Sequence, residues 1–187
     1  QGGLSLPLVL SRSVDPNVER PIVRTQVVVP PYPYDTAAVV ITNAYDNIKL
    51  AGTLTFPKKK GKYPAVLLLT GSGPQDRNEA IFNHKPFQIL ADYLTRNGIV
   101  VLRVDDRGVG ESGGSFENST IENFSKDAIS AFKYLQMQPQ VDGKKVGIIG
   151  HSEGGLIAEL LAGQHLPGLS YIVSLAGPSF SIDKLME

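Results

Sequence analysis

A serine flanked by glycines, lying between an apolar run and a helix-forming run, constrains this chain more than any other feature. Residues 146–150 (VGIIG) favour a buried strand and residues 156–161 (LIAELL) favour a helix. Ser152 lies between them, with Gly150 and Gly154 two residues away on either side. This order is typical of a nucleophile elbow, whose turn is too sharp for neighbouring side chains. The sequence therefore predicts a nucleophilic serine at the start of a helix, whose N–H groups point at developing negative charge.

A second match to the same pattern, residues 110–114 (GESGG), has a different context. The chain contains 19 glycines, so a G-x-S-x-G match has little weight without a strand before it and a helix after it. Residues 115–118 (SFEN) follow directly and show no helical run. The sequence therefore predicts that Ser112 lies in a loop and that Ser152 carries the chemistry.

Composition restricts the class of protein. The 187 residues suit one domain, and 18 basic side chains balance 18 acidic ones, which argues against a nucleic-acid surface or a polybasic membrane anchor. No apolar run is long enough to span a bilayer. The absence of cysteine excludes disulfides and thiolate sites, and no His-x-x-x-His pair suggests zinc. We therefore expect no nucleic-acid partner, no membrane partner and no metal.

The first residue of the chain is relevant to the cellular compartment of the protein. Because the chain starts at Gln1 rather than Met, we expect that an upstream segment has been removed, and these residues contain no signal peptide to read. A lack of cysteine is compatible with any compartment. The location stays open at this stage, with a leaning towards an exported or periplasmic protein.

Residues 1–36 are rich in proline and in short β-prone runs, and we interpret them as an extended connecting arm. Residues 22–29 (IVRTQVVV) favour a strand, which residues 30–34 (PPYPY) would end. A proline-rich recognition ligand is the alternative interpretation of this segment. Residues 37–187 then form the core domain.

An antiparallel hairpin comes first in that domain. Residues 38–42 and 48–56 flank a short connection, and the second run alternates apolar and polar side chains. Residues 65–69 are continuously apolar, as expected for a strand covered on both faces, and residues 99–105 form the next strand. A last strand is predicted at residues 170–176.

Three helical runs alternate with these strands. Residues 86–94 begin with proline and precede an Asn-Gly stop, and residues 121–135 follow a Ser119-x-x-Glu122 capping-box pattern. The third run follows Ser152. The order predicts an α/β fold: a mostly parallel sheet with an N-terminal antiparallel hairpin and helices on both faces. Active groups in such sheets gather at the carboxyl ends of the strands.

Three motifs together resemble the α/β-hydrolase fold, in the branch of bacterial serine esterases related to dienelactone hydrolase and prolyl oligopeptidase. They are residues 69–74 (LTGSGP), 105–112 (DDRGVGES) and 150–155 (GHSEGG). Their order and spacing match that family over about residues 38–187, and three linked motifs are far more specific than one.

The resemblance implies a mechanism. It implies that Ser152 is the nucleophile and that the backbone N–H groups of Glu153 and Ser72 form an oxyanion hole, with no metal or organic cofactor. Many members of the family have a histidine where Thr70 stands. Because the hole uses main-chain donors, Thr70 need not abolish it. The resemblance favours a small carboxylic ester over a peptide as substrate.

The C-terminal part departs from the family pattern. In this fold the acid and then the histidine follow the serine along the chain, each after a further strand. The chain stops 35 residues after Ser152 and supplies neither strand. We therefore interpret it as a C-terminally incomplete hydrolase fold and expect negligible turnover by these residues alone. Its last strand should lie exposed at a sheet edge, where it would promote self-association.

The histidines and the late acid lie in unsuitable places for a triad. His165 is at the far end of the helix after Ser152 and should point away from the site. His151 is expected to pack under the turn, and His84 either lines the pocket or lies on the surface. Asp183 is expected to cap a helix that starts at Ser179.

Two acidic features near the site remain open to interpretation. Asp105 and Asp106 form an adjacent carboxylate pair suited to acid–base work, but we prefer a structural role. Their side chains should diverge at a strand end, and Arg107 should pair with one of them. The Glu153 side chain either steers substrate choice or only bonds to neighbouring loops.

Other functions share this scaffold. A non-catalytic binding module would keep the hydrolase fold without its triad. An acyltransferase, a thioesterase or a peptidase would have the same serine turn and differ in the acyl acceptor or in the bond cleaved. The sequence therefore predicts a serine hydrolase acting on carboxylic esters, with these alternatives open.

Overall fold

The structure, a computed structural model, describes residues 26–178. Six strands and three helices alternate along this part of the chain in the predicted order. The strands are β1 (Tyr34–Asn43), β2 (Ile48–Pro57), β3 (Tyr63–Leu69), β4 (Val100–Val104), β5 (Val141–His151) and β6 (Leu169–Leu175). The helices are α1 (Pro86–Arg96), α2 (Ile121–Gln136) and α3 (Glu153–Gly163).

The strands form one sheet in the order β1-β2-β4-β3-β5-β6. β1 pairs antiparallel with β2, and β2 pairs antiparallel with β4. The remaining pairs, β3–β4, β3–β5 and β5–β6, are parallel. This confirms the predicted mostly parallel sheet with an antiparallel hairpin at one edge. The carboxyl ends of the inner strands β3, β4 and β5 therefore lie side by side, where the loops that follow them can form a site.

Helices cover both faces of the sheet, as predicted. On one face, apolar side chains of β3 such as Leu67 pack against α2 and α3, with Phe132 fully buried among them. On the other face, Leu68 packs against α1 through Phe87 and Ala91. Successive β3 side chains point to opposite faces, so its continuous apolar run reflects burial on both sides.

The structure differs from the sequence interpretation in two places near the start of the described residues. β1 begins at Tyr34, so the last residues of the proposed arm belong to the sheet. Tyr34 is buried, and its hydroxyl donates a 2.8 Å hydrogen bond to Asp92 on α1. Of the strand predicted at residues 22–29, residues 26–29 have no regular structure and the rest lie outside the described residues. The division of the chain into arm and domain stays a prediction.

The capping box of α2 lies one residue later than predicted. Thr120 is the N-cap, and its backbone N–H donates a 3.1 Å hydrogen bond to the side chain of Asn123. The Ser119 hydroxyl instead donates to the Ser115 carbonyl at 2.6 Å, within the preceding loop. An Asn side-chain oxygen serves in place of the expected Glu because either can accept from the N-cap N–H.

β6 forms the other edge of the described sheet. Its residues Tyr171, Val173 and Leu175 are each more than a third exposed. Self-association through this edge stays a prediction. The helix expected from Ser179 lies outside the described residues. Between residues 26 and 178, no helix combines the length and the apolar character needed to cross a bilayer.

Candidate active site

The turn between β5 and α3 holds Ser152 in an unusual backbone conformation. Its φ is +50° and its ψ is −115°, a backbone region that residues other than glycine rarely adopt. The Ser152 N–H donates a 2.9 Å hydrogen bond to the Leu175 carbonyl at the end of β6. Strain of this kind costs about 1–3 kcal/mol and persists where the surroundings hold it in place. The sheet edge therefore supports the sharp turn that the sequence predicted.

The glycines around the turn are required by close backbone approach. A Cβ on Gly150 would clash with the Gly154 carbonyl, and a Cβ on Gly154 would clash with the Leu69 carbonyl at the end of β3. A Cβ on Gly155 would lie 2.8 Å from the Ser174 hydroxyl. These contacts bring the first turn of α3 directly against the ends of β3 and β6.

The first turn of α3 directs its N–H groups towards the serine end of the helix. α3 begins at Glu153, and the Ser152 carbonyl accepts hydrogen bonds from Gly155 at 2.9 Å and Leu156 at 3.3 Å. The first N–H groups of a helix have no acceptor within the helix, and the helix dipole places partial positive charge there. The N–H of Glu153 is one of these groups.

The loop after β3 lies against the serine turn. A Cβ on Gly71 would lie 3.3 Å from Cβ of Ser152 and 3.0 Å from Nδ1 of His151. Ser72 follows in the same loop and is exposed. The structure thus brings together the loop of Ser72 and the turn of Ser152 and Glu153, the three residues that the sequence predicts as the site.

A buried carboxylate that sequence reasoning missed connects these two segments. Oε1 of Glu79 accepts a 2.7 Å hydrogen bond from the Gly71 N–H and lies 2.7 Å from Nδ1 of His151. His151 was expected to pack under the turn, but its side chain is 45% exposed and faces Glu79. No sequence pattern links residues 79 and 151, which lie on different loops and meet only in the fold.

Asp105 and Asp106 diverge, as predicted, and each has its own partners. Asp105 is buried and accepts hydrogen bonds from the Arg77 side chain and from the Arg77 N–H at 2.8 Å. These donors hold the pKa of Asp105 below its usual value despite burial. Arg77 also pairs with Glu111 at 2.7 Å. Asp105 thus joins the loops that follow β3 and β4.

The expectation that Arg107 pairs with Asp105 or Asp106 is wrong. The Arg107 guanidinium bonds to Asp127 at 2.7 Å and to Asp46 at 2.8 Å instead. Adjacent residues at a strand end point in different directions, so proximity in sequence did not predict the ion pair. Arg107 therefore connects the β1–β2 hairpin to α2 beneath the site.

Asp106 is a carboxylate held in a poorly solvated position. It accepts hydrogen bonds from the Thr70 hydroxyl at 2.7 Å and from the Gln75 N–H at 3.0 Å. Burial raises the pKa of Asp106 to about 6, and the nearby negative charges of Glu153 and Asp127 add to this effect. The two hydrogen bonds oppose the shift because they favour the charged form. Asp106 therefore fixes the loop that carries Gly71 and Ser72.

A small cavity lies beside the serine turn, with a volume of about 50 Å³. Its lining contains both apolar and acidic residues, among them the half-buried Glu153. Within residues 26–178, no side chain donates a hydrogen bond to that carboxylate. The cavity is lined by Leu69, Thr70, Gly71, Gly73, Asp106, Phe116, Phe124, Asp127, Glu153 and Ile157.

Ser112 lies in a loop, as predicted. Its hydroxyl donates to the Asp105 carbonyl at 2.8 Å and accepts from the Ala51 N–H at 2.9 Å. Both bonds are local to the junction of β2 and the loop after β4. The second G-x-S-x-G match therefore has a structural role in the fold.

The three histidines of the sequence all lie in the described part, and within it none is hydrogen-bonded to Ser152. His84 packs beside the start of α1, next to Pro86 and Ile89, and does not line the cavity. His165 is exposed at the far end of α3, as expected. Asp183 lies outside the described residues. No group of three or more His, Asp or Glu side chains within residues 26–178 is arranged to hold a metal ion.

Comparisons with known proteins agree with this fold. Residues 46–186 match the model of the X-Pro dipeptidyl-peptidase (S15) family. Esterase EstD of Thermotoga maritima is 33% identical over 138 residues, which cover 74% of this chain and 32% of EstD. The inactive dipeptidyl peptidase 10 of Rattus norvegicus is 32% identical over 123 residues, which cover 62% of this chain and 15% of that protein.

Solved structures of other proteins share this fold. The Pyrococcus furiosus esterase PF2001 superposes with a TM-score of 0.63 and 26% identity, over 82% of this chain and 55% of that one. The chain spans about a third or less of the length of the two curated relatives above. The family-model match, over residues 46–186, includes all three sequence motifs.

Proposed function

Because the chain belongs to the X-Pro dipeptidyl-peptidase (S15) family of α/β-hydrolases, we propose that Ser152 is the nucleophile of a serine carboxylic ester hydrolase. The observation that carries this proposal is the backbone conformation of Ser152, φ +50° and ψ −115°, at the junction of a strand and a helix. A non-glycine residue in this region is strained, and such strain is concentrated at functional sites. Ser112, which matches the same motif, has no comparable geometry.

The proposed reaction proceeds through an acyl-enzyme. The Ser152 oxygen attacks the ester carbonyl and transfers its proton to a base, which then protonates the departing alcohol. The N–H groups of Glu153 and Ser72 stabilise the oxyanion, and water then releases the acid. Each such donor is worth about 10²–10³ in rate. The contact of Gly71 with the serine turn supports the assignment of Ser72 to this role.

We propose that the general base is supplied from outside these 187 residues. None of the chain's three histidines bonds to Ser152 in the described part, and His151 faces Glu79. Removal of a triad member leaves only a small residual rate. The 187-residue chain should therefore hydrolyse p-nitrophenyl acetate no faster than its Ser152→Ala variant. A rate near that of the full-length protein would contradict this assignment of the base.

An experiment with two substrate classes distinguishes esterase activity from peptidase activity. EstD and the PF2001 protein are named as esterases, whereas the family model is named for X-Pro dipeptidyl-peptidases. The test is to supply the full-length protein with p-nitrophenyl esters and with an X-Pro p-nitroanilide at equal concentration. Ester hydrolysis that Ser152→Ala abolishes supports the proposal. Anilide cleavage without ester cleavage would assign the chain to the peptidases.

A non-catalytic binding module is the second candidate function. One relative at 32% identity is named an inactive dipeptidyl peptidase, so this scaffold exists without activity in a similar protein. Such a module would retain the elbow as a structural turn. Failure of Ser152 in the full-length protein to react with either substrate class or with a fluorophosphonate would favour this candidate.

A further inference from the structure

We propose that Glu79 is a positioning residue that holds the loop of Gly71 and Ser72 against the nucleophile turn. The inference rests on the proposed function, because its catalytic consequence requires that Ser72 donate to an oxyanion beside Ser152. Glu79 would touch neither substrate nor reacting atoms. It would act through the Gly71 N–H on one side and His151 on the other.

One carboxylate oxygen makes both connections. Oε1 of Glu79 lies 2.7 Å from the Gly71 nitrogen and 2.7 Å from Nδ1 of His151. Gly71 immediately precedes Ser72, and His151 immediately precedes Ser152. The carboxylate therefore joins the two segments one residue away from each of the groups that the reaction would use.

Glu79 itself is fixed by its surroundings. Its residue surface is 7% exposed, and its backbone has a φ of +51°. The Glu79 N–H donates to the Asp76 carbonyl at 2.9 Å, and the Asp76 side chain accepts from Asn78 and Ala80, each at 3.0 Å. This turn presents the side chain inward before any substrate binds. A buried carboxylate in a strained backbone needs such compensation, because isolated it would destabilise the fold.

The hydrogen bond to Gly71 constrains the direction of the loop backbone. A carboxylate that accepts from a backbone N–H makes a short, strong bond that sets the orientation of that peptide. The next N–H along the chain is that of Ser72. Since oxyanion donors act only within a narrow range of distance and angle, a small rotation of this loop should lower the rate of acylation without weakening substrate binding.

The test compares Glu79→Ala, Glu79→Gln and the matched control Glu111→Gln in the full-length protein. Glu111 lies on the neighbouring loop, pairs with Arg77 and has a side chain that is 77% exposed. For p-nitrophenyl ester hydrolysis, Glu79→Ala should lower kcat about 10²-fold with KM within about twofold. Glu79→Gln should retain most of kcat, because its amide oxygen can still accept both bonds. Glu111→Gln should match the wild type.

A second readout keeps the inference separate from the proposed function. In the 187-residue chain labelled with ¹⁵N-glycine, the Gly71 amide should exchange with solvent at least about tenfold faster in Glu79→Ala than in the wild type or Glu111→Gln. If the full-length wild-type protein hydrolyses no ester, the proposed function fails, and the exchange rate still decides whether Glu79 holds Gly71. Unchanged Gly71 exchange would overturn the inference. The inference would also be overturned if kcat of Glu79→Ala, corrected for the fraction of folded protein, equalled that of the wild type.

Discussion

The Thr70 hydroxyl donates a 2.7 Å hydrogen bond to Oδ1 of Asp106, and this bond joins the loop after β3 to the loop after β4. Thr70 stands where many α/β-hydrolases have a histidine. In this protein the residue holds a carboxylate whose other oxygen accepts from the Gln75 N–H at 3.0 Å. The backbone of the loop that carries Ser72 is therefore fixed at both ends by Asp106.

Asp106 should make the protein more stable in mild acid than at neutral pH. Its folded pKa of about 6 lies above the ordinary value of 3.8. The stability that this group contributes is therefore fully present below about pH 4 and lost as the pH rises through about 6. Asp106→Asn is neutral throughout, so its free energy of unfolding should rise relative to the wild type by at most about 3 kcal/mol between pH 4 and pH 7. Urea unfolding at several pH values measures this difference.

Asp46→Asn serves as the control for that titration. The hydrogen bonds from Asn123 and Arg107 lower the pKa of Asp46, so its contribution has the opposite sign. The stability that the Asp46 carboxylate contributes is fully present above its ordinary pKa of 3.8 and is lost only as the pH falls below that value. The loss of an acceptor in Asp106→Asn adds an offset that does not vary with pH. Parallel stability curves for wild type and Asp106→Asn from pH 4 to pH 7 would show that burial does not raise the pKa of Asp106.

Gly154→Ala should destabilise the protein strongly, whereas Gly163→Ala should not. A Cβ at position 154 would clash with the Leu69 and Thr70 carbonyls, which are backbone atoms and cannot move aside. At position 163, on the same helix, no atom lies within 4 Å of the new Cβ. We expect a loss of about 2 kcal/mol or more for the first variant and a change of about 1 kcal/mol or less for the second. Thermal unfolding of both variants gives the comparison, and equal losses would contradict the packing described.

The steric features of the serine turn could be predicted from sequence, because they depend on neighbouring residues. Gly150 and Gly154 are needed within two residues of Ser152, and the flanking strand and helix have clear apolar patterns. The same locality distinguished the Ser112 match, which lacks a following helix. The mostly parallel sheet and both helix-covered faces followed from the alternation of strands and helices.

The polar connections around the site could not be predicted, because they join residues far apart in the chain. Glu79 meets His151 across 72 positions, and Arg77 meets Asp105 across 28. Sequence proximity instead suggested that Arg107 pairs with a neighbouring aspartate. Side chains at a strand end point apart, so the partner of each depends on which loops the sheet order brings together.

Glu153→Gln should change preference between substrates of different charge. Its carboxylate lines the cavity beside Ser152, and no described side chain donates a hydrogen bond to it. A cationic ester such as a choline ester should therefore bind more weakly to the variant, with KM raised about threefold to tenfold, while a neutral ester should be unaffected. Steady-state kinetics of the full-length protein with both substrates measure this effect. An equal change for both esters would contradict a steering role for Glu153.

Ser112→Ala should lower stability without affecting reactivity. The Ser112 hydroxyl bonds to the Ala51 N–H and the Asp105 carbonyl, so its removal leaves two backbone groups without this partner. The expected loss is about 1–3 kcal/mol in the free energy of unfolding. Ser152→Ala should cost less, because within residues 26–178 the Ser152 hydroxyl makes no hydrogen bond that the substitution would remove. Denaturant unfolding of the two variants makes the comparison, and the reverse order would contradict these roles.

Covalent labelling of the full-length protein with a fluorophosphonate tests the central claim most directly. The reagent phosphonylates an activated serine hydroxyl, and peptide mapping by mass spectrometry identifies which serine carries the adduct. One adduct, on Ser152, is predicted for the wild type and for Ser112→Ala, with none for Ser152→Ala. Labelling that persists in Ser152→Ala, or an unlabelled wild type that is fully folded, would contradict the assignment of Ser152 as the nucleophile.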